Sequence, residues 1–155
     1  MTGTETQQIR TSDGVGLYCE VTGEGHPLIF VHEYGGDCRS WQPQVDHFAG
    51  RYRCITFNAR GYPPSDVPEE FAAYTQERAW MDIRDVLRGL NVDMANVVGL
   101  SLGGAAVLPF GMRCQVMASA LVIAATRKGL DPADRPPSQR GHAASVRPLL
   151  DAGTA

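Results

Sequence analysis

The chain has 155 residues and a formal net charge of -3, with 43% hydrophobic and 20% charged residues, the balance of one globular domain. No run of about 18 apolar residues is present, and the opening MTGTETQQIR has no apolar centre, so neither membrane insertion nor secretion is expected and the expected location is cytoplasmic. Thirteen Arg and the single Lys128 are scattered among 17 acidic residues without forming a basic face, which argues against a nucleic-acid binder.

In chain order, residues 17–21 alternate in the rhythm of a half-buried strand, and residues 27–32 (PLIFVH) form a compact apolar run suited to a strand covered on both faces. A helix is expected after Ser40. Residues 53–57 (RCITF) make a second covered strand, and residues 61–70, with three prolines, form a loop at its end. Over residues 76–90, Ala79, Ile83, Val86 and Leu90 fall on one helical face with Trp80 and Leu87 beside them, and Thr75 is placed to cap the free N–H groups. Residues 95–100 (ANVVGL), a helical run over 104–112 and residues 120–124 (ALVIA) complete the series. Short apolar strands alternating with helices define an α/β protein, with the strands from residue 27 onward pairing in parallel.

After Thr126 the composition changes. Residues 127–155 hold Pro132, Pro136, Pro137 and Pro148 and no aromatic residue, and five basic against three acidic residues give them a charge of +2. The expected organisation is a folded part over 1–126 and an irregular or disordered tail over 127–155. A shifted reading frame in GC-rich coding DNA would give the Ala, Arg, Gly and Pro bias of that tail. Cys19, Cys38, Cys54 and Cys114 match no metal or redox spacing and read as reduced thiols, so neither a metal nor another cofactor is expected.

The chemistry concentrates at Gly99-Leu100-Ser101-Leu102-Gly103, between a strand and a helical run. A sharp strand-to-helix turn strains its central residue and needs small residues two places to either side, which Gly99 and Gly103 supply. Such a turn lifts the Ser101 hydroxyl clear and aims the first free N–H groups of the helix, beginning with Leu102, at the position of a developing oxyanion. Upstream, PLIFVH runs into Glu33-Tyr34-Gly35-Gly36, and residues 57–66 read FNARGYPPSD.

These three blocks, in this order, resemble the α/β-hydrolase superfamily over about residues 14–126. The resemblance implies a partial α/β-hydrolase fold, a mostly parallel sheet with flanking helices that lacks the lid and late strands. It implies Ser101 as nucleophile and the N–H groups of Tyr34 and Leu102 as oxyanion hole. It makes His32 a structural histidine under the oxyanion loop and, with Glu33, a candidate pocket residue, the Glu33 carboxylate either selecting substrate or turning outward to solvent. Arg60 and Asp66 brace their loop. Glu33, Asn58 and Pro63 depart from the family's usual Gly, Asp and Gly.

The implied activity is serine hydrolysis of a small-molecule ester, lactone or amide, or of a carbon-carbon bond beside a carbonyl. A serine nucleophile needs a histidine and an orienting acid, which follow it in the order Ser, acid, His in this fold. Only His142 follows Ser101, with Asp131 as an acid in formal order, and no strand is expected to position them. The alternative is a catalytically incomplete fragment or interaction module. In either case the strand between Ala120 and Ala124 is expected to expose an edge through which the chain self-associates.

Overall fold

The computed structural model describes residues 3–126. Six strands form one sheet: β1 (Thr4–Arg10), β2 (Gly16–Thr22), β3 (His26–Val31), β4 (Tyr52–Phe57), β5 (Ala95–Leu100) and β6 (Ala118–Ala124). Their order across the sheet is β1-β2-β4-β3-β5-β6. β3 pairs in parallel with β4 and β5, and β5 with β6, as the apolar runs predict, while β1 and β2 add an antiparallel margin. The one strand absent from the sequence reading is β1. Only Ile9 is buried along it, so it carries no hydrophobic rhythm, and it is held by pairing along its whole length with β2.

The helices are α1 (Gln42–Phe48), α2 (Gln76–Gly89) and α3 (Leu102–Arg113), with α1 preceded by a 3-10 turn at Cys38–Trp41. The Thr75 hydroxyl caps α2 by accepting from the Arg78 N–H. Strand residues alternate between the two faces of the sheet. Ile29, Val31, Ile55, Phe57 and Val97 meet Ile83, Val86 and Leu87 of α2 and Val107 and Phe110 of α3 in the larger core. Leu28, Phe30 and Cys54 point the other way and pack with Trp41 and Val45.

This layering puts the carboxyl ends of β3, β4, β5 and β6 on one rim. In an open α/β sheet that rim is where ligands bind.

Candidate active site

The site is built where β5 turns into α3. Ser101 has φ 52° and ψ -109°, a left-handed backbone that a non-glycine residue adopts only when its surroundings enforce it. Its N–H donates to the Ala124 carbonyl at 2.8 Å, and its carbonyl accepts from the Ala105 N–H at 3.0 Å. The flanking glycines are needed for space. A Cβ on Gly99 would stand 2.6 Å from the Gly103 carbonyl oxygen, and one on Gly103 would collide with the Val31 carbonyl oxygen. The second of these contacts presses the first turn of α3 against the end of β3, beside the residues that follow it.

Residues 33–36 form a tight turn closed by the Gly36 N–H on the Glu33 carbonyl at 3.2 Å, with Gly35 at φ 80°. A positive φ at the third position of the turn is the type II pattern, which glycine adopts without strain. Neither the Tyr34 N–H nor the Leu102 N–H donates to a described group. Leu102 opens a 12-residue helix, whose first N–H groups have no partner within it.

His32 lies beneath this turn, 3% exposed, with the edge of its ring against Tyr62. Its Nε2 accepts from the Ala59 N–H at 3.0 Å, so the proton sits on Nδ1 and donates to the Glu33 carbonyl at 2.8 Å. Burial lowers its pKa. The ring thus joins the loop after β3 to the loop after β4 and holds no free nitrogen for a substrate. Glu33 folds back onto its own loop, where Oε1 accepts from the Ser40 hydroxyl at 3.0 Å and Oε2 is buried without a partner.

The loop after β4 is laced from within. Asn58, buried, accepts from the Cys38 N–H at 2.9 Å through Oδ1 and donates to the Pro63 carbonyl at 2.8 Å through Nδ2. An aspartate in its place could not make the second bond unless protonated. Asp66 Oδ2 accepts from the Gly16 N–H. Arg60 is buried with all five N–H donors used: two on Asp82, two on Asp13 and one on the Ala73 carbonyl. The hydrogen bonds from Arg60 hold the Asp13 carboxyl well below the usual range, whereas burial pushes Asp82 upward against the pull of the same guanidinium. Arg60 and Asp66 are therefore braces, as their loop position suggests.

Three histidines fall among the described residues, and none bonds to Ser101. His26 opens β3 at the far end of the sheet and meets the Ser119 hydroxyl, while His47 lies on α1 with its ring edge to Phe48. His142 and Asp131 lie outside the described residues. Two clefts, of about 360 Å³ around Glu5, Glu24 and Arg53 and about 280 Å³ around Gln76, Trp80 and Arg113, are lined by neither Ser101, Tyr34 nor Leu102. No group of His, Cys, Asp and Glu among the described residues is arranged to hold a metal.

Comparison with known proteins agrees with this architecture. The family model for the alpha/beta hydrolase fold matches residues 26–146. The chain is 35% identical to epoxide hydrolase 1 of Caenorhabditis elegans over 106 residues, which is 68% of this chain and 26% of that protein. It is 34% identical to 3-oxoadipate enol-lactonase 1 of Acinetobacter baylyi over 106 residues, or 67% of this chain and 39% of that one. The crystal structure of a hydrolase from Pseudomonas aeruginosa superimposes with a TM-score of 0.77 at 29% identity, covering 83% of this chain and 49% of the other. The chain spans less than half the length of these proteins. It belongs to the alpha/beta hydrolase fold family, a family of hydrolytic enzymes.

Proposed function

We propose that the chain carries the nucleophile half of a serine hydrolase acting on a small carboxylic ester or lactone, an amide or a carbon-carbon bond beside a carbonyl remaining within the same chemistry. The observation that carries this reading is the left-handed Ser101 at the strand-helix turn, beside two backbone N–H groups with no described partner. Ser101 Oγ attacks the carbonyl carbon, and the N–H groups of Tyr34 and Leu102 receive the negative oxygen. Collapse of the tetrahedral species expels the leaving group, and water then releases the acyl group.

The identity of the nucleophile also separates the activities named among the relatives. A serine oxygen that opens an epoxide forms an ether, which has no carbonyl for water to attack, so the enzyme would be blocked after one event. A serine that opens a lactone forms an ester that water can cleave. Ser101 thus supports the lactone and ester chemistry over epoxide opening.

Both nitrogens of His32 are engaged and neither His26 nor His47 bonds to Ser101, so in this reading the reactivity of Ser101 rests on the strained turn and the oxyanion hole. That same fact favours a second reading, a module of the fold without its own proton-transfer machinery. A fluorophosphonate probe separates the two, since labelling needs an activated serine. We expect labelling that Ser101→Ala abolishes and His142→Ala leaves unchanged. Equal loss in both variants would assign the Ser101, Asp131, His142 triad, and no labelling of the parent chain would favour the second reading. We further propose a cytoplasmic location and self-association along β6.

A further inference from the structure

We propose that Thr126 is a positioning residue that holds the nucleophile in its strained backbone; the inference rests on the reading of Ser101 given above. The Thr126 hydroxyl donates to the Ser101 carbonyl at 3.0 Å and lies 3.3 Å from the Ala124 carbonyl, with which it shares its single proton. The Ala124 carbonyl in turn accepts from the Ser101 N–H at 2.8 Å. Both backbone polar groups of Ser101 are therefore held from the end of β6, the N–H by Ala124, its last residue, and the carbonyl by Thr126 two residues beyond, and the carbonyl is shared with the Ala105 N–H.

Thr126 reaches this place because the chain is turned there. Ala125 has φ 52°, the same left-handed value as Ser101, so two non-glycine residues at neighbouring parallel strand ends are strained side by side. Each such residue persists only where the surroundings over-determine it. The bonds from residues 124 and 126 to Ser101 provide that constraint. Gly104 completes the arrangement: a Cβ there would overlap the Thr126 Oγ1 and crowd Ile123. The glycine leaves room for a hydroxyl to come down on the first turn of α3.

The consequence is directional. Without the Thr126 hydroxyl the Ser101 carbonyl keeps one partner, Ala105, which favours ordinary helical geometry. The backbone can then relax and carry Oγ away from the Tyr34 and Leu102 N–H groups. Misplacement of about 1 Å costs up to about a hundredfold in rate.

The test compares Thr126→Val, which keeps the shape, with Thr126→Ser, which keeps the hydroxyl, using the full chain and two readouts. Amide hydrogen exchange by NMR reads the clamp directly, independent of activity. Exchange at Ser101 and Ala105 is expected to rise roughly fivefold in Thr126→Val, with no change along β1 and β2, and to return in Thr126→Ser. Fluorophosphonate labelling reads the consequence and is expected to slow by about ten- to a hundredfold in the Val variant alone. Gly104→Ala, which displaces the hydroxyl, should reproduce the Val variant. Unchanged exchange in Thr126→Val, or a Ser variant that behaves like Val, would overturn the clamp whether or not labelling occurs. Absence of labelling in the parent chain, with exchange still raised in Thr126→Val, would instead remove the nucleophile reading and leave the clamp standing.

Discussion

At the scale of single residues, the loops around Ser101 are held together by buried polar side chains that bond across them. His32 and Asn58 each join two loops with both of their polar atoms, and Arg60 spends all five donors on Asp82, Asp13 and Ala73. Asp13 is the partner nearest to solvent, with its side chain 21% exposed and a second cation, Arg78, 3.3 Å away. Its carboxyl is held below the usual carboxylate range mainly by the hydrogen bonds from Arg60. A folded-state pKa below the unfolded value gives stability that is present above the unfolded pKa of about 4 and is lost as pH falls through the folded value. Asp13→Asn is therefore expected to cost about 1–2 kcal/mol at pH 7 and progressively less below pH 4, where the parent loses the same contribution. Urea melts at pH 7 and pH 3 check this. An equal cost at both would show that the contribution does not come from the charge.

At the scale of elements, α3 contains a gap that another helix fills. Pro109 has no N–H, so the Ala105 carbonyl, four residues earlier and buried, receives no helical bond. The Gln76 side-chain amide, from the first turn of α2, donates to that carbonyl. Gln76→Ala leaves the carbonyl unpaired and is expected to cost about 1–2 kcal/mol, and the cost should shrink when Pro109→Ala restores a helical donor. A double-mutant cycle by chemical denaturation measures that coupling, and additive losses would refute it.

The same contrast explains which parts of the structure were legible in the sequence. The apolar strands, α2 with its Thr75 cap and the turn at Ser101 could be read because each is a local demand met by adjacent residues. Gly99 and Gly103 are needed within two places of Ser101. β1 could not be read because its residues are exposed and its order comes from β2. The Asp13, Arg60 and Asp82 cluster, the Gln76 bond and the Thr126 clamp join residues 22 to 47 positions apart, and no spacing rule announces them.

At the scale of the whole molecule, the sheet has an open side among the described residues. β6 pairs with β5 on one side and with no described strand on the other. Its residues, ASALVIA, include no charge and no proline, which are the usual protections of an edge. Leu121 and Ile123 lie against Gly111 and Gly104 of α3, so Val122 points to the opposite face, and all three remain exposed, at 39%, 38% and 54% respectively. Leu108 and Met112 of α3 and the neighbouring Val116 add further exposed apolar surface. An uncharged strand can pair antiparallel with its own copy, extending the sheet and setting Val122 beside side chains of the copy's strand on the same face. The expected outcome is a dimer or larger species by light scattering at low micromolar concentration, reduced to monomer by Val122→Lys, which places a charge on the pairing strand. A monomeric parent chain that melts in one cooperative step would mean that this edge is covered within the chain itself.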